Sequence, residues 1–257
     1  MTSRPRYVQI PGSLEILTAQ YAEQQFAPHF HDTYTFGVIT SGACHFVRGG
    51  TPYVARAGDL FVIHPYELHT GGTNRQNLEY RAVYIAPEWL GQFPKDGHVP
   101  YFPSAVYSHR LGRALRDAID RQEPQPIEAL LVEITKTCAR GMRRFVHPQE
   151  EGSRIGRACR LLNDNWAADI STGEVAAQVG LSRYHFTRQF HRAVGLTPGA
   201  YVRHVRLMHA KRLIAAGMPP ADAAIETRFA DQSHLTRELK RVYGITPGAL
   251  LRAPSTA

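Results

Sequence analysis

The feature that most constrains the fold of this chain is a repeat within its last hundred residues. Residues 182–203, aligned with residues 231–252 at an offset of 49, are identical at ten positions. Both copies contain the tetrapeptide Thr-Pro-Gly-Ala, beginning at Thr197 and at Thr246. Because self-similarity at a fixed spacing indicates a duplicated structural unit, the sequence predicts two copies of one supersecondary motif.

The helix starts of this region are marked by capping residues. Ser171 and Glu174 have the spacing of a capping box, and Ser182 and Asp231 are N-cap residue types. Each copy is therefore predicted to be a short helix, a turn and a second helix. Between the copies, residues 198–216 predict one helix of 19 residues, with proline at its first position.

The second helix of each copy is predicted to have one apolar face and one polar face. At helical spacing, the apolar residues are Phe186, Phe190 and Val194 in the first copy and Leu235, Leu239 and Val242 in the second. The opposite faces carry Tyr184, Thr187, Arg188 and His191, and then Ser233, Thr236, Arg237 and Lys240. Such polar faces can form hydrogen bonds to base edges in a major groove.

The positive charge of the chain is confined to the region of the repeat. Residues 1–152 contain 15 Lys and Arg and 15 Asp and Glu, whereas residues 153–257 contain 15 and 7. The whole net charge of +8 therefore lies in the C-terminal part. A basic excess on one helical module favours nucleic acid as its partner, with an ordinary solvated basic face as the alternative.

The N-terminal half has the pattern of an all-β structure. Between Tyr21 and Trp89, short runs of β-branched and aromatic residues alternate with glycine-containing turn signals, which are Gly42, Gly49-Gly50, Gly58 and Gly71-Gly72. Regularly spaced short strands of this kind predict a barrel or a sandwich.

Two helical patterns follow the predicted strands and form a helical hairpin. The first includes Leu111, Leu115, Ala118 and Ile119, and the second includes Ile127, Leu130, Leu131, Ile134 and Cys138. The apolar stripe of the hairpin predicts either a dimer surface or a face packed against the barrel. The polar residues 147–153 predict a linker, which divides the chain into domains at 1–146 and 153–257.

No apolar run has the length of a membrane span and no signal peptide is recognisable, so we expect a cytoplasmic protein. The cysteines Cys44, Cys138 and Cys159 form no CxxC pair, which fits a reducing compartment.

The C-terminal segments resemble the AraC/XylS family of bacterial transcription regulators. The resemblance is carried by GLSRYHFTRQFHRAVGLTPGAYVRHVRLMHAKRLIAAG at 180–217 and by FADQSHLTRELKRVYGITPGALLR at 229–252. It implies two helix-turn-helix units that bind a double-stranded DNA operator. The implied base contacts come from Tyr184, Thr187, Arg188, Gln232, Ser233 and Arg237. The chain departs from the family pattern at Arg228, where glycine is usual, and at Leu239, where phenylalanine is usual.

The N-terminal half resembles the sensor of the same family, a cupin-like β-barrel that covers roughly residues 10–90. This resemblance depends on His29-Phe30-His31, on the turn at Gly42 and on the stretch from Gly58 to His69. The interpretation is a pocket for a small-molecule effector lined by His29, His31, Tyr34, Phe36, His64, His69 and Tyr84, with histidines hydrogen-bonded at the barrel mouth as the alternative. The family architecture also implies a homodimer contact through residues 104–145, and RNA polymerase as a partner if the chain activates transcription.

We expect neither a cofactor nor a tightly bound transition metal. Metal-dependent cupins follow the HxH motif with a glutamate four or five residues later, but this chain has Thr35 and Phe36 there. His29, His31 and His69 remain as imidazoles without the carboxylate.

The sequence as a whole predicts a ligand-responsive transcription regulator without enzymatic activity. One alternative is a cupin metalloenzyme with an accessory nucleic-acid-binding domain. Another is a constitutive DNA-binding protein whose barrel serves only to dimerise.

Overall fold

The computed structural model describes residues 5–10, 14–73, 77–90, 98–107, 110–140, 142–144 and 153–251. The chain forms two compact units. The first comprises Met1–Phe145 together with Arg241–Ala257, and the second comprises Val146–Lys240. Of the predicted linker 147–153, all residues except Ser153 lie outside the described ranges. None of the helices in the described ranges combines the length and apolar composition that a membrane span requires.

The first unit is mainly β-structure. Its strands are β1 Arg6–Ile10, β2 Leu14–Tyr21, β3 Gln25–His29, β4 Tyr34–Ser41, β5 Ala43–Arg48, β6 Thr51–Arg56, β7 Leu60–Ile63, β8 His69–Gly72, β9 Leu78–Ile85, β10 His98–Pro100, β11 Val106–Tyr107 and β12 Met142–Arg144. Its helices up to the boundary are α1 Pro87–Leu90, α2 Arg110–Arg121 and α3 Pro124–Cys138.

The strands form two main antiparallel sheets. One has the order β1-β2-β9-β4-β7-β11 and the other has the order β3-β8-β5-β6, with β10 and β12 paired separately. The two sheets confirm the β-rich architecture that the sequence predicted for this half of the chain.

The side chains of the central strand β4 point alternately to two different faces of the sheet. Tyr34, Phe36 and Val38 belong to a buried cluster that also includes apolar residues of α2 and α3. Thr35 and Ile39 point to the opposite face, where they line a cavity. The alternation follows from the two-residue period of a strand.

The helical hairpin packs against the large sheet, which decides between the two readings of its apolar stripe. Leu115 and Ile119 of α2 and Leu131 and Ile134 of α3 are buried in one cluster with strand residues. The apolar stripe therefore lies in the core of the unit and is not available as a dimer surface.

The turn predicted at Gly71-Gly72 is wrong, because both residues lie within β8. Glycine is required there because another backbone segment lies too close to leave room for a side chain. A Cβ on Gly72 would lie 2.5 Å from the carbonyl oxygen of Gln24, so the glycine signal marks adjacent backbone rather than a turn.

The second unit is helical. Its helices are α4 Arg154–Asp164, α5 Thr172–Gln178, α6 Arg183–Val194, α7 Pro198–Ala215, α8 Pro220–Glu226 and α9 Gln232–Tyr243, and α10 Pro247–Leu251 follows. The last turn of α9 and all of α10 belong to the first unit. The helix predicted at 198–216 is confirmed to within one residue.

The predicted caps are also confirmed. Ser171 and Glu174 form both hydrogen bonds of a capping box at the start of α5. The hydroxyl of Ser182 accepts from the backbone N–H of His185, and the carboxylate of Asp231 accepts from that of His234 at 2.7 Å. These bonds satisfy backbone donors that the first turn of a helix leaves unpaired.

Candidate DNA-binding surface and ligand cavity

Helix α6 presents the first predicted set of DNA contacts. Phe186 and Phe190 are fully buried, which turns the opposite face of α6 toward solvent. Tyr184 is 71% exposed, an unusual state for a large aromatic side chain. Arg188 is exposed as well, and Thr187 is half-buried with its hydroxyl donating to the carbonyl of Arg183 at 2.9 Å.

Helix α9 presents the second set in the same way. Leu235 and Leu239 are fully buried, so leucine fills the position where the family pattern has phenylalanine. Gln232, Ser233 and Arg237 are exposed. The six predicted contact residues thus lie on the outer faces of two capped helices, one in each repeat. Such faces can donate hydrogen bonds to base edges.

The first unit contains a mainly apolar cavity of about 70 Å³. Four of the seven predicted effector residues line it, namely His29, His31, His69 and Tyr84. The cavity is large enough for several water molecules or one small ligand group. Among the described residues that line it, none is an Asp, Glu, Lys or Arg.

The other three predicted effector residues are not in the cavity lining. Tyr34 and Phe36 lie on the opposite face of β4, in the cluster under the helical hairpin. The Tyr34 hydroxyl donates to the carbonyl of Pro100 at 2.7 Å. The His64 ring stacks on Tyr101 and accepts from the backbone N–H of Phe102. Strand alternation explains why Tyr34 and Phe36 are not in the lining, because both are neighbours of Thr35 in β4 and neighbours in a strand point to opposite faces.

Strand pairing brings two of the cavity histidines together. His29 ends β3 and His69 begins β8, and the two are direct partners in the antiparallel register. Their ring centroids are 4.2 Å apart. The centroid of the His31 ring lies 5.0 Å from that of His29 and 5.2 Å from that of His69. One potential ligand atom from each ring lies within 4.8 Å of the others.

Backbone carbonyls orient two of these rings. The Nδ1 of His29 lies 2.7 Å from the carbonyl oxygen of Ala27, and the Nδ1 of His69 lies 2.8 Å from that of Glu67. A carbonyl only accepts hydrogen bonds, so each Nδ1 carries the proton and each Nε2 carries the lone pair. Burial lowers the pKa of His69 below its usual value, which keeps this ring neutral near pH 7.

Aromatic and hydroxyl side chains complete the surroundings of the histidines. Tyr84 lies 5.1 Å from the His31 ring, and Tyr243, from the C-terminal segment of the same unit, stacks on His31 at 5.5 Å. The hydroxyl of Thr35 is buried with no hydrogen-bond partner. A buried hydroxyl without a partner is costly, so this atom marks a position where a bound polar group would be stabilised.

An ionic network holds the segment that carries His69. The buried guanidinium of Arg48 lies 3.3 Å from the carboxylate of Glu67 and donates to the carbonyls of Val62 and Ser104. Burial would raise the pKa of Glu67, but the His64 hydrogen bond and the charges of His64 and Arg48 lower it overall. The carbonyl that orients His69 therefore belongs to a residue anchored by an ion pair.

Sequence reasoning missed several residues of the cavity lining, including Thr35, Ile39, Tyr80 and Tyr243. The alternation of β4 was a usable signal for Thr35 and Ile39, because they follow the period of the strand. Tyr243 had no such signal, since it is 174 positions after His69 in the chain.

Comparison with known protein families assigns a domain to each half of the chain. Residues 11–135 match the AraC-like ligand binding domain, and residues 175–253 match a helix-turn-helix domain. The HTH-type transcriptional regulator YbfI of Bacillus subtilis is 29% identical over 248 residues, covering 91% of this chain and 90% of YbfI. The HTH-type transcriptional activator RhaS of Klebsiella pneumoniae is 26% identical, covering 82% of each chain.

Solved structures show the same fold. ToxT from Vibrio cholerae matches with a TM-score of 0.62 at 10% identity, covering 95% of this chain and 99% of ToxT. A second structure of ToxT, bound to an unsaturated fatty acid, also matches with a TM-score of 0.62, covering 97% of this chain and 98% of ToxT at 10% identity.

Proposed function

The chain belongs to the family of AraC-type transcription regulators, and from this membership we propose how its parts act. Helices α6 and α9 read the operator, and a small molecule bound in the cavity of the first unit controls that reading. Control of this kind requires the ligand to have unequal affinity for two states of the protein. The two proposed domains are residues 1–146 for the effector and residues 153–257 for DNA.

The observation that carries the DNA assignment is the equivalence of Arg188 and Arg237. The two arginines occupy matching positions of the repeat, and both are exposed on capped helices whose apolar faces are buried. Arginine can bond both acceptors of a guanine edge at once. Helix α7, which lies between the two copies of the repeat, has 18 residues, a length of about 27 Å, which is close to one turn of DNA.

Binding-site selection from random duplexes, followed by footprinting with the full chain, tests the DNA assignment. We expect two protected segments about one helical turn apart, roughly 10 base pairs. Binding that shows no sequence preference at any salt concentration would contradict the assignment.

The effector assignment is supported by the cavity and by the partnerless hydroxyl of Thr35. A ligand that accepts a hydrogen bond from Thr35 would remove the cost of that buried group. Thermal-shift screening of the full chain against small metabolites tests it. A compound that raises the melting temperature should also change operator affinity, whereas turnover of the compound would support the metalloenzyme alternative.

Three further proposals concern partners and location. We place the protein in the bacterial cytoplasm, without enzymatic activity, and in contact with RNA polymerase if it activates transcription. A homodimer through residues 104–145 would use the outer surface of the hairpin, where Glu133 and Lys136 are exposed. Sedimentation of the full chain measures the oligomeric state, and a monomer at the concentrations that saturate DNA would contradict the dimer.

A further inference from the structure

The cluster of His29, His31 and His69 has the composition and spacing of a metal centre. We propose that these three imidazoles bind a divalent ion of the zinc class and that the open coordination position faces the ligand cavity. The effector then completes the coordination with an oxygen donor. This last step rests on the proposed function, whereas the metal site itself does not.

The backbone already brings the ligand atoms close to coordination distance. The candidate nitrogens lie within 4.8 Å of one another. In a tetrahedral zinc site, with Zn–N bonds of about 2.0–2.1 Å, the nitrogens are about 3.4 Å apart. Because His29 and His69 are cross-strand partners, the register of β3 and β8 holds these two rings side by side.

The hydrogen bonds around the rings match those of metal-bound histidines. A metal-ligating histidine generally donates its other ring nitrogen to a carbonyl or carboxylate, which fixes its tautomer and orientation. His29 donates from Nδ1 to the carbonyl of Ala27, and His69 donates from Nδ1 to the carbonyl of Glu67. Both rings thus present Nε2 as the coordinating atom.

The missing carboxylate restricts the choice of ion rather than excluding an ion. The sequence expectation of no metal depended on Thr35 and Phe36 replacing the glutamate of metal-dependent cupins. Three imidazoles with an open fourth position are nevertheless a recognised zinc set. Carboxylate ligands suit magnesium, calcium and manganese, whereas imidazole ligands suit zinc, copper, iron and nickel, so the residues of this cluster are compatible with zinc.

The charge of the cavity indicates the chemistry of the fourth ligand. Three neutral imidazoles leave the two positive charges of the ion uncompensated, and no described lining residue is acidic. An anionic oxygen donor, such as a carboxylate, would offset that charge. Thr35 lines the same cavity, and its buried hydroxyl lacks a hydrogen-bond partner, so it is a candidate donor to such a ligand.

Metal uptake by the full-length protein tests the site directly. The chain is freed of metal with a chelator and titrated with Co²⁺, whose visible absorption bands are strong in tetrahedral sites. We expect one equivalent of Co²⁺ with tetrahedral bands, displaced by one equivalent of Zn²⁺. Uptake well below one equivalent in the wild-type protein would overturn the proposal without reference to any variant.

Variants then place the ion within the structure. His29→Ala and His69→Gln should each weaken Co²⁺ binding by more than the roughly 10–100-fold that loss of an outer partner costs. His45→Ala is the matched control, because His45 is an exposed histidine on β5 of the same unit. Circular dichroism checks that each variant is folded. Unchanged binding in folded variants of the cluster, or equal loss in His45→Ala, would overturn the assignment.

Acetate serves as the probe for the open coordination position of the bound ion. Acetate should shift the visible bands of the cobalt-loaded protein, and the absence of any shift would overturn the oxygen-donor step. DNA binding distinguishes failure of the metal site from failure of the proposed function. For this purpose, binding of the metal-free protein to a random-sequence duplex at low salt is measured in parallel. DNA binding without metal uptake refutes only the metal site, whereas metal uptake without DNA binding refutes only the regulator assignment.

Discussion

Arg228 has the same left-handed backbone conformation at the end of α8 that Gly180 has at the end of α5, with φ of +58° and +69°. The hydrogen bonds correspond as well. The N–H of Leu181 donates to the carbonyl of Ala176, and the N–H of Phe229 donates to that of Ala224. The two helix-turn-helix units therefore share one helix-ending motif, with a side chain at the second copy where the first has glycine.

The side chain of Arg228 points toward a neighbour within the second unit. Its guanidinium lies 3.2 Å from the carboxylate of Asp169, and both side chains are largely exposed. An exposed ion pair contributes little to stability. The position where the family pattern has glycine is thus confirmed as one whose backbone conformation suits glycine.

We predict that Arg228→Gly stabilises the protein. Removing a Cβ from a residue in the left-handed conformation raises the free energy of unfolding by about 1–2 kcal/mol. The greater freedom of glycine in the unfolded chain lowers it by about 0.5–1 kcal/mol. The melting temperature of the second unit should rise by roughly 3–6 °C. Arg228→Ala is the control, because it removes the ion pair but keeps the Cβ. An equal rise in that variant would show that backbone strain is not the cause.

We predict that Arg188→Ala and Arg237→Ala each weaken specific DNA binding by about 1–3 kcal/mol, since each removes bonds to one base edge. Each variant should also relax sequence preference in its own half of the site, as measured by binding-site selection. Arg56→Ala removes one exposed charge from the first unit and should leave affinity unchanged. Equal loss on specific and random duplexes would mean that the two arginines contact only phosphate.

We predict that Thr35→Val stabilises the free protein and weakens binding of the effector. Valine has nearly the shape of threonine and removes a buried hydroxyl that has no partner, worth about 1 kcal/mol in the free energy of unfolding. Denaturant titration measures the stability. Thr40→Val is the matched control, because the Thr40 hydroxyl is also buried without a partner but is not in the cavity lining. If both variants alter effector affinity equally, the role of Thr35 in binding is refuted.

We predict that Arg48→Met destabilises the first unit by about 3–5 kcal/mol. The substitution removes the guanidinium from the partly buried carboxylate of Glu67, which is left with His64 as its partner, and losing one member of a buried ion pair is costly. It also removes the donor to the carbonyls of Val62 and Ser104. The double variant Arg48→Met/Glu67→Gln should recover part of the loss. Arg48→Met with unchanged stability in denaturant titration would show that water replaces these bonds.

Local structure in the second unit was predictable from the sequence. Ser171, Ser182 and Asp231 cap helices where their residue types predicted caps, because a capping bond joins atoms only two or three residues apart. The inward faces of α6 and α9 followed from helical spacing in the same way. Strand alternation is equally local, and it places Tyr34 and Phe36 on the face of β4 opposite Thr35.

The cavity and its histidine cluster depended on the tertiary structure. His29 and His69 are 40 positions apart in the chain, and only the pairing of β3 with β8 makes them neighbours. No local pattern specifies which distant strand a given strand will pair with, since that choice is made by the packing of the whole sheet. The sequence alone thus determined the two amphipathic helices α6 and α9 through contacts between near neighbours. The tertiary structure decided which histidines meet, because their meeting depends on contacts between distant segments.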